Sequence, residues 1–421
     1  MLNLTPIGRS GLNEMGGRIY EEALKQLRGD KAVKAFSEMR DTDSIVGAIL
    51  FAISMIARQV NWSVGPVSDD QTDLDAAQFL SECMDDMSLT WEDVISEALS
   101  MLPFGWAYFE IVYKYRRGES KNPKYNSKHT DGRIGWRKIA LRAQETRDRW
   151  EFDGDGGIRG MWQTRKNGAP VLIPIEKALL FRTQSHKNSP EGRSVLHNAY
   201  VSYYYIKRLQ ELEAIGIERD LAGLPDMQVP AKLLMRDATA TDKALLEDIR
   251  QMVSEIRRDE RAAIVRPSEV DEAGQPTGFK FALVSSGGTH QIDTSKVITR
   301  YEQRIAMTVL AEFIFMGLEK GSYNAVVQKD NMFSTALDAW LNSIASVFNR
   351  FAVPRLFKLN GWNLESLPKI KHEPVKQISL EELGRFIESI ARAGMPLTPD
   401  HELESVLRQR ADLPEPPEER L

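Results

Sequence analysis

The stretch Asp293-Thr-Ser-Lys-Val-Ile-Thr-Arg-Tyr-Glu-Gln-Arg-Ile-Ala-Met-Thr-Val-Leu-Ala-Glu-Phe-Ile-Phe-Met-Gly-Leu-Glu-Lys-Gly321, with its continuation to Pro354, decides the fold. Asp293 and Thr294 are helix-capping types, and apolar residues recur at Val297, Tyr301, Ile305, Val309, Phe313 and Met316. Gly317 and Gly321 stop that pattern, and the polar break Leu318 to Gln328 follows. A second helical series, Phe333, Leu337, Trp340, Leu341, Ile344, Val347, Phe348 and Phe351, is expected to end at Pro354. Taken alone, the pattern is a helical hairpin in a core, with a short polar loop held out at the junction.

The bulk properties are those of a folded protein with room for two to four structural units: 421 residues, 42% hydrophobic and 27% charged. With 55 basic and 60 acidic residues the formal charge is −5. A chain that grips nucleic acid through its phosphates normally carries a basic excess, so any contact with DNA is expected to be loose or made to pass. Cys83 excludes an intramolecular disulfide because it is the single cysteine, and Phe79, Leu80 and Met84 around it favour a buried thiol. The N-terminus does not read as a signal peptide. The most apolar segment, Ile45 to Ala57, is too short to span a bilayer and reads as a buried helix, so no membrane partner is expected.

Outward from the deciding stretch, the N-terminal part alternates helices and strands. One or two helices are expected over Ile19 to Met39 with a break at Gly29-Asp30, then helices at Asp43 to Ala57, Leu74 to Met84 and Trp91 to Leu102. Strands are expected at Val60–Val64, Phe104–Tyr115, Ile134–Ala140, Arg149–Phe152, Ile158–Thr164 and Ala178–Thr183. Between them, Arg116 to Gly132 reads as a solvated loop whose run Arg116, Arg117, Lys121, Lys124 and Lys128 offers an alternative contact for phosphate. Asp153-Gly-Asp-Gly-Gly157 resembles the start of a calcium loop, but Thr164 stands where the twelfth-position glutamate belongs, so it reads as a tight turn. A long helix follows from Gly192 to Ala222, then a small α/β insert with a helix at Thr241 to Arg258. A last helix, Ser379 to Arg392, opens with Ser379-Leu-Glu-Glu382 in capping-box form, and the tail after Leu413 is acidic and proline-rich.

Motifs for chemistry are missing. No Gly-x-x-x-x-Gly-Lys-[Ser/Thr] stretch supplies a nucleotide site, and no Gly-x-Ser-x-Gly elbow occurs. His401-Glu402 lacks the second histidine of a zinc protease, and six scattered histidines with one cysteine make no zinc cluster. No catalytic residue, metal ligand or cofactor is expected.

The order of parts is distinctive: mixed α/β region, long helix, small α/β insert, long helix, polar loop, long helix, helical tail. It resembles the portal proteins of tailed bacteriophages, in their Mu-like branch. Leu180-Phe-Arg-Thr-Gln184 with Ser189-Pro-Glu-Gly-Arg-Ser-Val-Leu196 is similar to the family's passage into the first stem helix, and Glu218-Arg219 with Gly223-Leu-Pro225 to its exit. Ala393-Gly-Met-Pro-Leu-Thr-Pro399 and Leu413-Pro-Glu-Pro416 resemble the C-terminal region of the Mu-like branch.

The resemblance implies a mainly helical α+β subunit that assembles into a ring, usually a dodecamer. Its parts would be a wing (1–190), a stem helix (191–222), a clip (223–291), a second stem helix (292–316), a tunnel loop (317–329), a wing helix with its connection (330–375) and a helical crown with the tail (376–421). The ring would sit at a capsid vertex of the virion after assembly in the host cytoplasm, among capsid and scaffold proteins. It would pass double-stranded DNA, dock the terminase large subunit and later hold head–tail connectors. The channel residues would be Glu319, Lys320, Ser322, Tyr323, Asn324, Gln328 and Lys329, where Glu319 offsets Lys320 and Asp330 offsets Lys329. Tyr203, Tyr204 and Tyr205 place aromatics on several faces of one helix, either between subunits or in the chain's own core. The alternatives are a DNA-processing enzyme with a helical clamp, which needs a carboxylate cluster assembled by the fold, and a structural adaptor without DNA contact.

Overall fold

The structure is a computed structural model that describes residues 7–222, 224–255, 264–268, 278–284, 294–308 and 323–375. The chain divides into two compact units, Met1–His197 with Thr308–Leu421, and Asn198–Met307.

The first unit opens with a small hairpin, β1 (Glu14–Met15) and β2 (Arg18–Ile19). Helix α1 (Asp30–Thr42) buries Val33, Phe36 and Met39. Asp43 then caps α2 (Ser44–Arg58), its carboxylate accepting from the N–H groups of Ile45 (3.0 Å) and Val46 (2.9 Å). Strand β3 (Trp62–Gly65) leads to α3 (Gln71–Asp85), α4 (Trp91–Ala98) and the single turn α5 (Met101–Phe104). The Thr90 hydroxyl caps α4 by accepting from the Asp93 N–H at 3.1 Å.

Strand β4 (Trp106–Tyr115) is the centre of the unit, flanked by β5 (Ile134–Arg142) and β9 (Ala178–Arg182) in an antiparallel sheet. Its first residues are buried on both faces, from Trp106 through Phe109, which is why the run reads apolar without alternation. Between β5 and β9 come β6 (Arg147–Phe152), β7 (Ile158–Gln163) and β8 (Val171–Pro174), an antiparallel meander. Trp106, Tyr108 and Trp150 join the two sheets edge to face.

The second unit holds α6 (Tyr200–Ala222), β10 (Leu224–Val229), α7 (Ala240–Glu255), β11 (Ile264–Pro267), β12 (Lys280–Val284) and α8 (Thr294–Thr308). β10 is the middle strand, parallel to β11 and antiparallel to β12. Met227, Val229 and Leu233 pack against Leu246, Ile249 and Val253 of α7, a small core of its own.

The chain re-enters the first unit in α9 (Tyr323–Val347), a π-helical turn (Phe348–Ala352) and α10 (Val353–Leu359). Strand β13 (Lys369–His372) then pairs antiparallel with β3, Trp62 opposite His372. The Asn349 side chain acts as an extra strand residue: its amide donates to the Ile370 carbonyl and accepts the Ile370 N–H, both at 2.8 Å. Asn360 does the same at the edge of β5, bonding the Ile134 N–H at 2.7 Å and its carbonyl at 2.9 Å. A line of ring contacts, Trp62–Trp91–Phe348–Phe181–Phe109, ties β3, α4, the π turn, β9 and β4 into one core.

Several expectations need correction. Pro354 does not end its helix. The π turn widens the backbone just before it, with the Val353 N–H reaching the Phe348 carbonyl five residues back. That accommodates a residue with no N–H and a bulky ring. Ile19 to Met39 is not helical throughout, because the α-helix begins only at Asp30 and Lys25–Leu27 is a 3₁₀ turn. The long helix starts at Tyr200, not at Gly192. Gly192 instead lies so close to Gly105 that a Cβ on it would stand 2.2 Å from the Gly105 carbonyl oxygen. Trp340 is half-buried, whereas Phe333, Leu337, Leu341, Ile344 and Phe348 form the inward stripe.

Arg116 is also no surface cation. It is buried against the Phe79 ring at 5.1 Å, with salt bridges to Glu82 and to Asp131 (3.0 Å). Asp86 fastens the rest of that loop, receiving Lys114 (3.0 Å), the Ser127 hydroxyl (2.6 Å) and the Lys128 N–H (2.8 Å). Cys83 is buried, and burial pushes its thiol up to about 11. Asp153-Gly-Asp-Gly-Gly157 is the tight turn between β6 and β7, the Asp153 carboxylate accepting the N–H groups of Asp155 and Gly157.

Candidate functional site

Helix α6 carries Tyr203, Tyr204 and Tyr205. Consecutive residues lie about 100° apart on a helix, so three in a row cannot share one face. Tyr203 is buried, whereas Tyr204 and Tyr205 are 56% and 48% exposed, and Val201, Leu212 and Ile217 are exposed along the same helix. Tyr205 stacks on Tyr301 of α8, with ring centroids 5.8 Å apart and planes 23° apart, and Tyr204 meets Tyr205 edge to face.

On α8, Lys296, Arg300 and Arg304 recur every four residues on one exposed face, three cations against the single carboxylate of Glu302. The guanidinium groups of Arg300 and Arg304 each lie 5.5 Å from the Tyr301 ring centroid. Stacking fixes the plane of a guanidinium and leaves its N–H edge open to an anion. Among the described residues neither arginine pairs with a carboxylate. Sequence reading missed this patch, although the Lys-x₃-Arg-x₃-Arg spacing with Tyr301 inside it was the available signal.

The residues assigned to a tunnel loop divide in two. Glu319, Lys320 and Ser322 lie outside the described residues. Tyr323, Asn324, Gln328 and Lys329 lie on the backbone of α9, which begins at Tyr323. The polar break is therefore shorter at its C-terminal side than expected. After Gly321 the segment contains no glycine or proline, and Ala325, Gln328 and Lys329 favour helix, so polarity alone did not mark a loop.

In the first unit a cavity of about 330 Å³ lies beside α1, lined among others by Glu22, Arg147, Glu191 and His197. Several of its charged groups are paired. Arg147 bonds Asp30 (2.8 Å) and Glu191 (3.2 Å), and His197 bonds Glu22 (2.6 Å). Glu22 ionises below the usual range: burial opposes its charge, but bonds from the Leu24 N–H and His197 outweigh that. The arrangement pins the N-terminal arm to the segment leading out of β9. Among the described residues no group of three His, Cys, Asp or Glu side chains is placed to hold a metal ion, and no helix is long and apolar enough to cross a membrane.

A family model described as the portal protein of Mu bacteriophage matches residues 33–411. The chain belongs to this portal family. Solved structures share the portal fold at low identity. A chain from the virion of a native gene transfer agent particle aligns with TM-score 0.52 and 12% identity, covering 91% of this chain and 94% of that one. Chains from the neck of an empty particle, computed with C6 symmetry, and of a native particle, computed with C12 symmetry, align with TM-scores of 0.53 and 0.51 at the same identity and coverage. No curated protein sequence matches. In the portal, then, the two long helices α6 and α8 flank a small α/β unit with its own core, and α9 returns the chain to the larger unit.

Proposed function

We propose that the protein is the repeating subunit of a portal ring, a non-enzymatic channel at one capsid vertex through which double-stranded DNA enters and leaves. The match of the portal family model over residues 33–411 carries this reading. The twelvefold symmetry of the related neck supports a ring of twelve. Helices α6 (Tyr200–Ala222) and α8 (Thr294–Thr308) act as the stem, 223–291 as the clip that docks the terminase large subunit and later the head–tail connector, and 376–421 as the crown. The wing meets capsid and scaffold proteins, and the ring assembles in the host cytoplasm before it becomes part of the virion. With no nucleotide-binding motif of its own, the subunit takes energy for translocation from the terminase motor.

The segment 317–329 faces the channel, where Glu319, Lys320, Ser322, Tyr323, Asn324, Gln328 and Lys329 offer a near-neutral rim that lets DNA slide. Arg300 and Arg304 add transient phosphate contacts along the stem. Tyr204 and Tyr205, exposed with Val201 and Leu212 on a 23-residue helix, supply apolar surface to the neighbouring copy. A closed head-to-tail ring needs such a patch on each subunit and a different one to receive it.

Particle mass is the test. Twelve chains of 47.7 kDa make a ring of about 570 kDa, visible in axial electron-microscopy views. Tyr204→Ser with Tyr205→Ser should shift the distribution toward smaller species while leaving the subunit folded. Monomers and dimers at every concentration, even with scaffold co-expressed, would overturn the ring.

A further inference from the structure

The loop between β4 and β5 is a second cationic surface, and it belongs to the first unit alone. From Arg116 to Arg133 it carries six cations. Arg116 is buried, whereas Arg117, Lys121, Lys124, Lys128 and Arg133 are exposed. The same run has two carboxylates, Glu119 and Asp131, and Asp131 is taken by Arg116 at 3.0 Å. Glu82 on α3 and Asp86 at its end face the loop, and they are held by Arg116 and Lys114. Among the described residues none of the five exposed cations pairs with a carboxylate. A chain of net charge −5 has gathered uncompensated positive charge in one place.

The loop also has a fixed shape. The Arg116 N–H donates to the Arg133 carbonyl, the Gly132 N–H to the Arg116 carbonyl and the Gly118 N–H to the His129 carbonyl, each at 2.8 Å. At the tip the Asn126 side chain accepts the Ser120 N–H at 2.9 Å, and the Asn122 side chain caps the 3₁₀ turn Pro123–Tyr125. The buried Lys114 ammonium supports the tip by donating to the Asn126 carbonyl at 2.6 Å. A backbone ordered beforehand avoids the ordering cost that a slack basic tail meets on binding.

Three guanidinium groups lie against rings. Arg117 is 4.6 Å from the Tyr115 centroid, Arg137 is 5.2 Å from that of Tyr125, and Arg133 is 4.9 Å from that of Trp362. Tyr115 and Tyr125 are themselves 56% and 45% exposed. A guanidinium held this way keeps its N–H edge open to an oxyanion. From 116 to 133 the chain contains no Ala, Val, Ile, Leu, Met, Phe or Trp. A protein-docking surface has an apolar centre and is poor in lysine, whereas a surface for nucleic acid is polar and strongly positive.

We infer that residues 117–133 are a site for the phosphate backbone of duplex DNA, made of other residues than the stem and the segment 317–329. Arg117, Lys121, Lys124 and Lys128 each neutralise about one phosphate, without regard to base sequence. The choice of DNA rests on the portal reading; the cationic site does not.

The test is binding of a short labelled DNA duplex to the full-length protein, followed by fluorescence anisotropy over a range of salt. Arg117→Gln with Lys121→Gln and Lys124→Gln should weaken binding at least about tenfold at low salt and flatten the slope of log affinity against log salt by about 2–3. All three side chains are exposed, so the melting midpoint should match wild type. Lys25→Gln with Lys31→Gln and Lys34→Gln removes the same charge at exposed positions on and before α1, and should leave the slope as it is. Equal effects from both triples would overturn the site by making the binding a matter of net charge. The loop triple should lose as much affinity in an Arg300→Gln, Arg304→Gln background, so the site survives even if the α8 pair proves silent, and particle mass reports on the ring separately. Unchanged affinity and slope in the loop triple would overturn the proposal. So would a changed particle mass with DNA binding intact, which would assign the loop to a contact between proteins. Tighter binding of duplex RNA than of duplex DNA would overturn the choice of DNA.

Discussion

Asp86 is the residue on which the basic loop depends. Its carboxylate holds Lys114, Ser127 and the Lys128 N–H, and both charged side chains of the pair are almost entirely buried. Replacing Asp86 by alanine leaves the Lys114 ammonium in the interior with backbone carbonyls alone, at a cost of about 3–5 kcal/mol. Denaturant melts should show that loss, and trypsin should cut faster at Lys121 and Lys124 as the loop comes free. The same residues set an acid dependence. Burial works against the charge of Glu82 and Asp86. Bonds from Arg116 and Gln78 to the first, and from Ser127 and Lys128 to the second, outweigh it and hold both below the usual carboxylate range. A depressed folded pKa stabilises above the unfolded value, about 4, and that stabilisation is lost as pH falls through the folded value. Thermal midpoints should therefore stay level in this respect from pH 7 to 5 and drop below pH 4, with a shallower drop in Asp86→Asn. Nothing in the local sequence singled out Arg116 from its basic neighbours, because its partners Glu82 and Asp131 come from separate elements.

Among the elements, α9 and its continuation show what periodicity can and cannot say. The stripe Phe333, Leu337, Leu341, Ile344, Phe348 was legible at helical spacing, and it is buried. Trp340 sits between stripe positions and is half-exposed, so its size misled where its angle did not. Leu337→Ala should cost about 2–5 kcal/mol and Trp340→Ala clearly less, measured by denaturation of the same preparation. The reverse order would mean that the helix is rotated. Pro354 illustrates a different limit. Proline argues for a stop, but a π turn absorbs it here, and the turn is held by Phe348 in the aromatic line and by Asn349 on β13. Those partners lie far away in the chain, so no local pattern announced them. β13 itself is short and exposed on alternate residues, too weak a signal beside the prolines around it.

At the scale of the whole molecule, the portal reading makes a net charge of −5 intelligible, since a conduit must not hold what it passes. The cations that do face outward on α8 are confined to one helix face, where Arg300 and Arg304 lie against the Tyr301 ring. In the Arg300→Gln, Arg304→Gln protein, duplex DNA should bind more weakly at low salt. The slope of log affinity against log salt should flatten by at least about 1, with ring mass unchanged. A slope equal to wild type would remove these residues from the channel. Over the described residues the order of parts from the mixed α/β region through α6, the small α/β unit and α8 to α9 was readable, because helix length, strand alternation and glycine placement are local properties.

By itself the sequence determined the alternation of elements, the small α/β unit between two long helices, and the inward stripe of α9. Each follows from residue types at fixed spacings along one segment. Only the tertiary structure decided that Arg116 is buried, that Gly192 meets Gly105, that Pro354 lies within a helical run, and that Arg300, Arg304, Tyr301 and Tyr205 form one patch. Each of those depends on a partner brought close by folding or on a choice between backbone states that local preference leaves balanced, and contact with the rest of the core supplies the deciding free energy.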